Sequence, residues 1–256
     1  MKSRIEVYPL KSSILKPGDS LQESIADALR LGRVRPRNGD IIAVASKAVA
    51  IAEGNMVRLS NVLLSRRARG LAHQYKMDPE FVQIVLNESA KVYSGVNGAL
   101  LTLKDGDAVA NAGADQKNAP VGYAVLWPRD SDKTSRRLRA EMETRYGKKL
   151  GILIVDSRVT PLRLGTIGLA LGCAGFAPVH DLRGSADLYG RRARITAHAL
   201  ADGIASVAHL AMGESKELAP FVLVRNSPAM VDGRNRSRNS MQLPSMECLY
   251  MSNIID

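Results

Sequence analysis

The chain has 256 residues, 45% hydrophobic and 24% charged, which is enough apolar material for a packed core and too much for a disordered chain. Its 36 Lys plus Arg against 25 Asp plus Glu leave a net charge of +11, favouring anionic partners such as nucleotides, phosphorylated metabolites or nucleic acid. Two cysteines without ligand spacing exclude a disulfide framework and a zinc finger, and the apolar runs fall short of the about 20 residues of a membrane span. With no signal-type stretch after Met1-Lys2-Ser3, a soluble cytoplasmic protein with no membrane partner is expected.

Residues 4–10 alternate polar and apolar side chains before the Lys16-Pro17-Gly18 breaker, which predicts a half-buried strand. Asp19 and Ser20 can cap a helix to Leu31, on which Leu21, Ile25, Ala28 and Leu29 recur at helical spacing. Asn38-Gly39-Asp40 turns the chain into an apolar strand over 41–45, with Ser46-Lys47 at its end. Residues 60–75 predict a basic helix, and Asp78-Pro79 opens another to Glu88 whose buried stripe is Phe81, Val82, Val85 and Leu86. Short β segments over 91–94, 99–104 and 108–110, the last two around Asp105-Gly106, predict antiparallel sheet. Residues 131–146 form an amphipathic helix closed by Gly147 and followed by a buried strand over 150–155, with Asp156 at its exit. A glycine-rich stretch over 165–175, a polar loop to Arg192, an apolar helix over 196–212, a strand over 221–224 and a tail rich in Arg, Asn and Ser over 226–240 follow. Without regular βαβ alternation or an internal repeat, these elements predict an α+β fold in two lobes, 1–130 and 131–256.

No GxxxxGK[ST] occurs, and Gly168, Gly172 and Gly175 are spaced GxxxGxxG. The expectation is therefore no P-loop or Rossmann unit, and glycines that serve packing. HExxH and GxSxG are absent, and His198 and His209 fall inside the apolar helix as core histidines. Carboxylates stand at element ends: Asp115 in NAGADQKN, Asp156 after GILIV, Asp181 and Asp187 in DLRGSADLYGRR, and Glu214 in MGE. Hard oxygen ligands beside arginines and turn-prone glycines are what a Mg2+ or Mn2+ phosphoryl-transfer site uses. On the residues alone, turn and cap roles for Asp115 and Asp156 and a solvated run for Arg183, Arg191 and Arg192 weigh equally.

In Tyr8-Pro9, GDIIAVASKAVAIAEG (39–54), FVQIVLNES (81–89), NAGADQKN, residues 150–175, DLRGSADLYGRR and the helix ending in MGE, the sequence resembles the CofE family. These γ-glutamyl ligases add L-glutamate to the deazaflavin coenzyme precursor F420-0 using GTP. The resemblance implies a two-lobed CofE-like fold with mixed and antiparallel sheets and an intertwined homodimer. It also implies Mg2+ or Mn2+, with K+ as a candidate accessory ion, and a GTP site without a P-loop. It assigns metal ligation to Asp115, Asp156, Ser157 and Glu214. Nucleotide contacts fall to Ser12, Ser13, Ile14, Leu15, Ser46, Lys47 and Asn118, and to Met212, Gly213, Glu214, Ser215, Lys216, Glu217, Leu218 and Ala219. Arg163, Asp187 and Arg191 take catalytic roles, the last two in the D-x-Y-G-R motif with Tyr189 and Gly190. The implied chemistry activates a carboxylate as an acyl phosphate, which the glutamate amine then displaces.

The sequence departs from the family pattern at several points. Asp156 is followed by Ser157-Arg158-Val159-Thr160-Pro161, so Thr160 stands where an arginine is expected, with Arg158 as a nearby substitute. Ile51 replaces a nucleotide-side lysine, Gly203 replaces an acidic residue, and the tail from Ser227 has no placed counterpart. These positions keep open a paralogous nucleotide-dependent ligase acting on another carboxylate. A noncatalytic nucleic-acid-binding role, suggested by Arg234, Arg236 and Arg238, ranks last because 4% aromatic residues offer little surface for base stacking.

Overall fold

The computed structural model describes residues 4–254, so the Met1-Lys2-Ser3 start lies outside the described residues. In chain order it runs β1 (Glu6–Leu10), α1 (Leu21–Leu31), β2 (Ile41–Ala45), α2 (Ser46–Ala52), β3 (Met56–Arg58), α3 (Arg66–Tyr75) and α4 (Pro79–Glu88). It continues with β4 (Lys91–Val96), β5 (Ala99–Lys104), β6 (Asp107–Ala110), β7 (Tyr123–Val125), α5 (Ser131–Tyr146), β8 (Gly151–Val159) and β9 (Thr166–Phe176). The last elements are β10 (Val179–Asp181), β11 (Ala197–Ala199), α6 (Leu200–Met212), β12 (Phe221–Arg225) and β13 (Val231–Asn235). The fold is mixed α+β.

The main sheet has the order β1-β12-β2-β8-β9-β13 and takes strands from both halves of the chain. β2 and β8 run parallel, with Ala45 opposite Val155, while their other neighbours pair antiparallel. Both faces of this sheet are covered, which is why its central strands are apolar without interruption. Ile42, Val44, Ile152, Ile154, Phe221 and Leu223 meet Ile25, Leu29, Leu138 and Met142 from α1 and α5. The alternate residues Ile41, Ala43, Leu153, Val155, Val222 and Val224 meet Ile204, Ala205 and Ala208 from α6. The two-residue period of a strand thus supplies two cores from one sheet. Cys173 lies in the second core, where burial pushes its thiol up to about 12 and keeps it protonated.

The glycine-rich stretch is β9 itself. A Cβ on Gly168 would stand 2.2 Å from the carbonyl oxygen of Ala205 in α6, and one on Gly172 would stand 2.8 Å from the backbone of Ser131 in α5. An extra residue in β9 opposite Ile154 and Val155 forms a bulge between these two contacts. The glycines therefore serve close packing, as their spacing predicts.

Several boundaries differ from the sequence expectation. The basic helix starts only at Arg66, because Ser65 accepts a hydrogen bond from Ala68 N at 3.1 Å and its own N–H donates to Gln83 of α4 at 2.8 Å. The apolar helix starts at Leu200, since residues 197–199 pair with β10 and put His198 in an exposed strand. The tail without a counterpart supplies the edge strand β13, held by Arg139 through the Gly233 carbonyl at 2.7 Å. Away from the main sheet, α3 and α4 pack on the β4-β5-β6 sheet and the β3-β7 pair around Phe81, Ile84, Leu100 and Ala124. Among the described residues no helix is long and apolar enough to cross a membrane.

One ion pair is buried in the sheet. The Arg225 guanidinium meets Asp40 at 2.8 Å, with the two side chains 7% and 2% exposed, and also donates to the Arg35 carbonyl at 2.9 Å. Arg225→Ala leaves the Asp40 charge uncompensated, so it is expected to cost about 3–5 kcal/mol, read as a shift of the denaturant midpoint.

Candidate functional site

The parallel pair β2–β8 carries its side chains to one end of the sheet, the position where open sheets meet ligands. With Ala45 opposite Val155, the residues that follow, Ser46 and Asp156, are neighbours. Ser46 Oγ donates to Asp156 Oδ1 at 2.8 Å, and Trp127 Nε1 donates to Oδ2 at 2.5 Å. Burial pushes the Asp156 carboxyl above the ordinary Asp value, and the hydrogen bonds from Trp127 and Ser46 offset only part of this. The next residue, Lys47, crosses to the NAGAD turn, where Nζ lies 2.6 Å from Asp115 Oδ2 and also donates to the Lys117 carbonyl.

That turn is bent by three successive left-handed residues, Asn111 (φ 53°), Ala112 (φ 50°) and Gly113 (φ 69°). The alanine is strained there by about 1–2 kcal/mol. Fully buried Thr102 holds it in place: Oγ1 accepts from Ala112 N at 2.8 Å and donates to the Val109 carbonyl at 2.8 Å. Gly113 is obligatory for a second reason, since a Cβ there would fall 2.1 Å from Trp127 Nε1. Asn55 Nδ2 donates to the Trp127 carbonyl at 2.6 Å, which fixes the other end of the residue. Trp127 and Thr102 are site residues that the motifs did not single out. The available signal was that Trp127 is the chain's one tryptophan.

The two stretches assigned to nucleotide contact lie side by side. Ser12 N donates to the Leu218 carbonyl at 2.9 Å, and Asn118 Nδ2 donates to the Ser215 carbonyl at 2.8 Å. Ser13 and Ile14 are exposed, while Leu15, Met212 and Ala219 anchor the stretches in the core. Gly213 ends α6 at φ 75°, and Glu217 accepts from Ser215 N at 2.7 Å, folding residues Ser215, Lys216 and Glu217 into a turn. Glu214 accepts from Thr166 Oγ1 at 2.6 Å and lies 2.7 Å from His209 Nε2. Burial pushes its carboxyl up, but these hydrogen bonds and nearby Lys117 outweigh that and hold it below the ordinary Glu value.

Ser157 directly follows Asp156 in β8, opposite Gly168. Other residues lie apart: Arg158 pairs with Asp202 of α6 at 3.7 Å. Arg163 lies in the exposed turn between β8 and β9. Asp187 closes its own loop by accepting from Tyr189 N at 2.8 Å and Arg191 N at 2.9 Å. Among the described residues no hydrogen bond or ion pair joins Arg163, Asp187 or Arg191 to the Ser46–Asp156 group.

Among the described residues no three His, Cys, Asp or Glu side chains form a group able to hold a metal, so Asp115, Asp156 and Glu214 do not share a preformed centre. The donor chemistry nonetheless suits a hard divalent cation. Asp115 and Asp156 are carboxylates on the two residues that Lys47 and Ser46 reach, and Mg2+ is commonly held by one or two carboxylates together with substrate phosphates.

Gly113→Ala forces the turn against Trp127 as well as into a disfavoured φ, so a loss of about 2 kcal/mol or more is expected, with a red shift of the single tryptophan's emission.

A protein-family model described as F420-0:Gamma-glutamyl ligase matches residues 9–226. A relative from Methanopyrus kandleri named coenzyme F420:L-glutamate ligase is 36% identical, covering 95% of this chain and 96% of its own. Relatives of the same name from Archaeoglobus fulgidus and Methanocaldococcus jannaschii are 37% and 34% identical, covering 97% and 88% of this chain and 94% and 89% of their own. With its mixed sheet, its parallel-pair site and a match over most of its length, the chain belongs to the F420-0:γ-glutamyl ligase family of enzymes.

Proposed function

We propose that this protein forms an amide between L-glutamate and the deazaflavin coenzyme precursor F420-0, using GTP and a divalent cation. The observation that carries this reading is the placement of Ser46–Asp156 and Lys47–Asp115 at the ligand end of the β2–β8 pair, beside the joined 12–15 and 212–219 stretches. In the proposed reaction a substrate carboxylate oxygen attacks the γ-phosphorus of GTP, releasing GDP and leaving an acyl phosphate. The glutamate amine then attacks the acyl carbon. The C–N bond forms as the C–O bond to phosphate breaks, and the amine gives up a proton. Asp115 and Asp156 would hold Mg2+ or Mn2+, which when bound supplies positive charge for the phosphate oxygens. Lys47 supplies a further cation beside them, and the +11 net charge draws in substrates that are all anions.

Incubation with F420-0, L-glutamate, GTP and Mn2+ is expected to yield the glutamylated product by mass, with stoichiometric GDP. Absence of product with GTP or ATP across several divalent ions would sink the reading. Asp156→Asn can keep both hydrogen bonds, by accepting from Trp127 and donating to Ser46. It is expected to fold with at least wild-type thermal stability and to lose Mn2+-dependent nucleotide binding.

We further infer a homodimer. Leu162, Leu164, Leu188, Tyr189 and Ile195 are almost fully exposed on the two loops that carry Arg163, Asp187 and Arg191. Apolar exposure of this extent on both loops fits an interface, and a second copy gives these catalytic candidates a site to reach. Sedimentation is expected to give a dimer, and Leu162→Glu with Leu188→Glu is expected to give an inactive monomer.

A further inference from the structure

Arg238 lies beyond the stretch 9–226 matched by the family model, in the tail that follows β13. Its side chain is nevertheless 13% exposed and drawn inward. The guanidinium pairs with Asp107 of β6 and lies 3.6 Å from Asp105, while its backbone N–H donates to both Asp132 oxygens in α5, at 2.9 and 3.1 Å. Gln242, one turn further on, donates to the Asp105 carbonyl at 2.7 Å. These contacts place the guanidinium carbon 4.8 Å from the centroid of the Trp127 ring, with the cation over the ring.

We infer that Arg238 is a positioning residue for Asp156, acting through the indole of Trp127. Asn55 fixes the Trp127 backbone, and two contacts aim the indole N–H at Asp156: the close approach to Gly113 and the guanidinium over its ring. Gly113 limits where the ring edge can lie, and Arg238 presses on the ring and is itself held by Asp107 and Asp132 from two different elements. Groups that orient a functional carboxylate from outside contribute to its activity without touching substrate. The tail thereby becomes part of the site while staying outside it. This role rests on the ligase reading for its kinetic consequence only, because the geometry at Trp127 can be read without turnover.

The test uses the chain's one tryptophan as a local probe. Arg238→Ala is expected to shift Trp127 emission to the red and raise its quenching by acrylamide in the protein without ligands. It should also lower kcat for glutamylation about 10-fold with KM for glutamate unchanged. Arg238→Lys keeps a cation for Asp107 but not the flat guanidinium face, so it is expected to melt like wild type yet retain the red shift and part of the kcat loss. Trp127→Phe should lower kcat to a similar degree, and adding Arg238→Ala to it should cause little further loss, since the two act in series. Wild-type emission, quenching and kcat in both Arg238 variants, or fully additive losses in the double variant, would overturn the proposal. A wild-type protein without ligase activity would remove the function proposed above, while the emission and quenching measurements would still decide this one.

Discussion

A half-buried carboxylate is costly to keep charged, and the candidate site is organised around one. Asp156 stands where burial favours its protonated form, opposed by two neutral donors, the Ser46 hydroxyl and the Trp127 indole. Each donor comes from a separate element, and neither would face Asp156 without the tertiary fold. Ser46 arrives because β2 and β8 are parallel neighbours in register. Trp127 arrives because Gly113 leaves space for it and Asn55 fixes its carbonyl.

The same requirement explains features of the sheet remote from the site. A parallel strand pair must have both faces covered, so α1 and α5 occupy one side and α6 the other. That enclosure depends on Gly168 and Gly172, where a side chain would strike the backbone of α6 or α5. It also depends on the paired Arg225 and Asp40, whose charges are sealed at the edge of the β2 and β12 strands. The strained left-handed turn at Asn111, Ala112 and Gly113 is tolerated because Thr102 satisfies its backbone from the neighbouring strand.

Lys47 links the two sides of this arrangement. Its ammonium bridges the Asp115 carboxylate and the Lys117 carbonyl, so without ligands the acidic side of the site is neutralised by the protein's own cation. Glu214 is separately engaged by Thr166 and His209. Asp115, Asp156 and Glu214 are thus each held by their own partners, and among the described residues they do not form one group.

Local pattern made much of the molecule legible. The caps Ser20 and Asp78, the αL glycine after Tyr146, the apolar runs at β2 and β12 and the hairpin around Asp105-Gly106 each depend on neighbours in the chain, and each formed where the residues indicated. The motifs NAGADQKN, GILIVD and MGE marked Asp115, Asp156 and Glu214 and were sufficient to suggest the family. Local pattern carries no information about side chains that meet across tens of residues to about a hundred. Ser46 with Asp156, Trp127 with Asp156, and Arg238 with Trp127 were therefore decided only by the closed sheet and the returning tail. The start of α6 shows the same division: residues 197–199 have helical composition, yet pairing with β10 made them a strand, because hydrogen bonds to a distant segment outweighed a weak local preference.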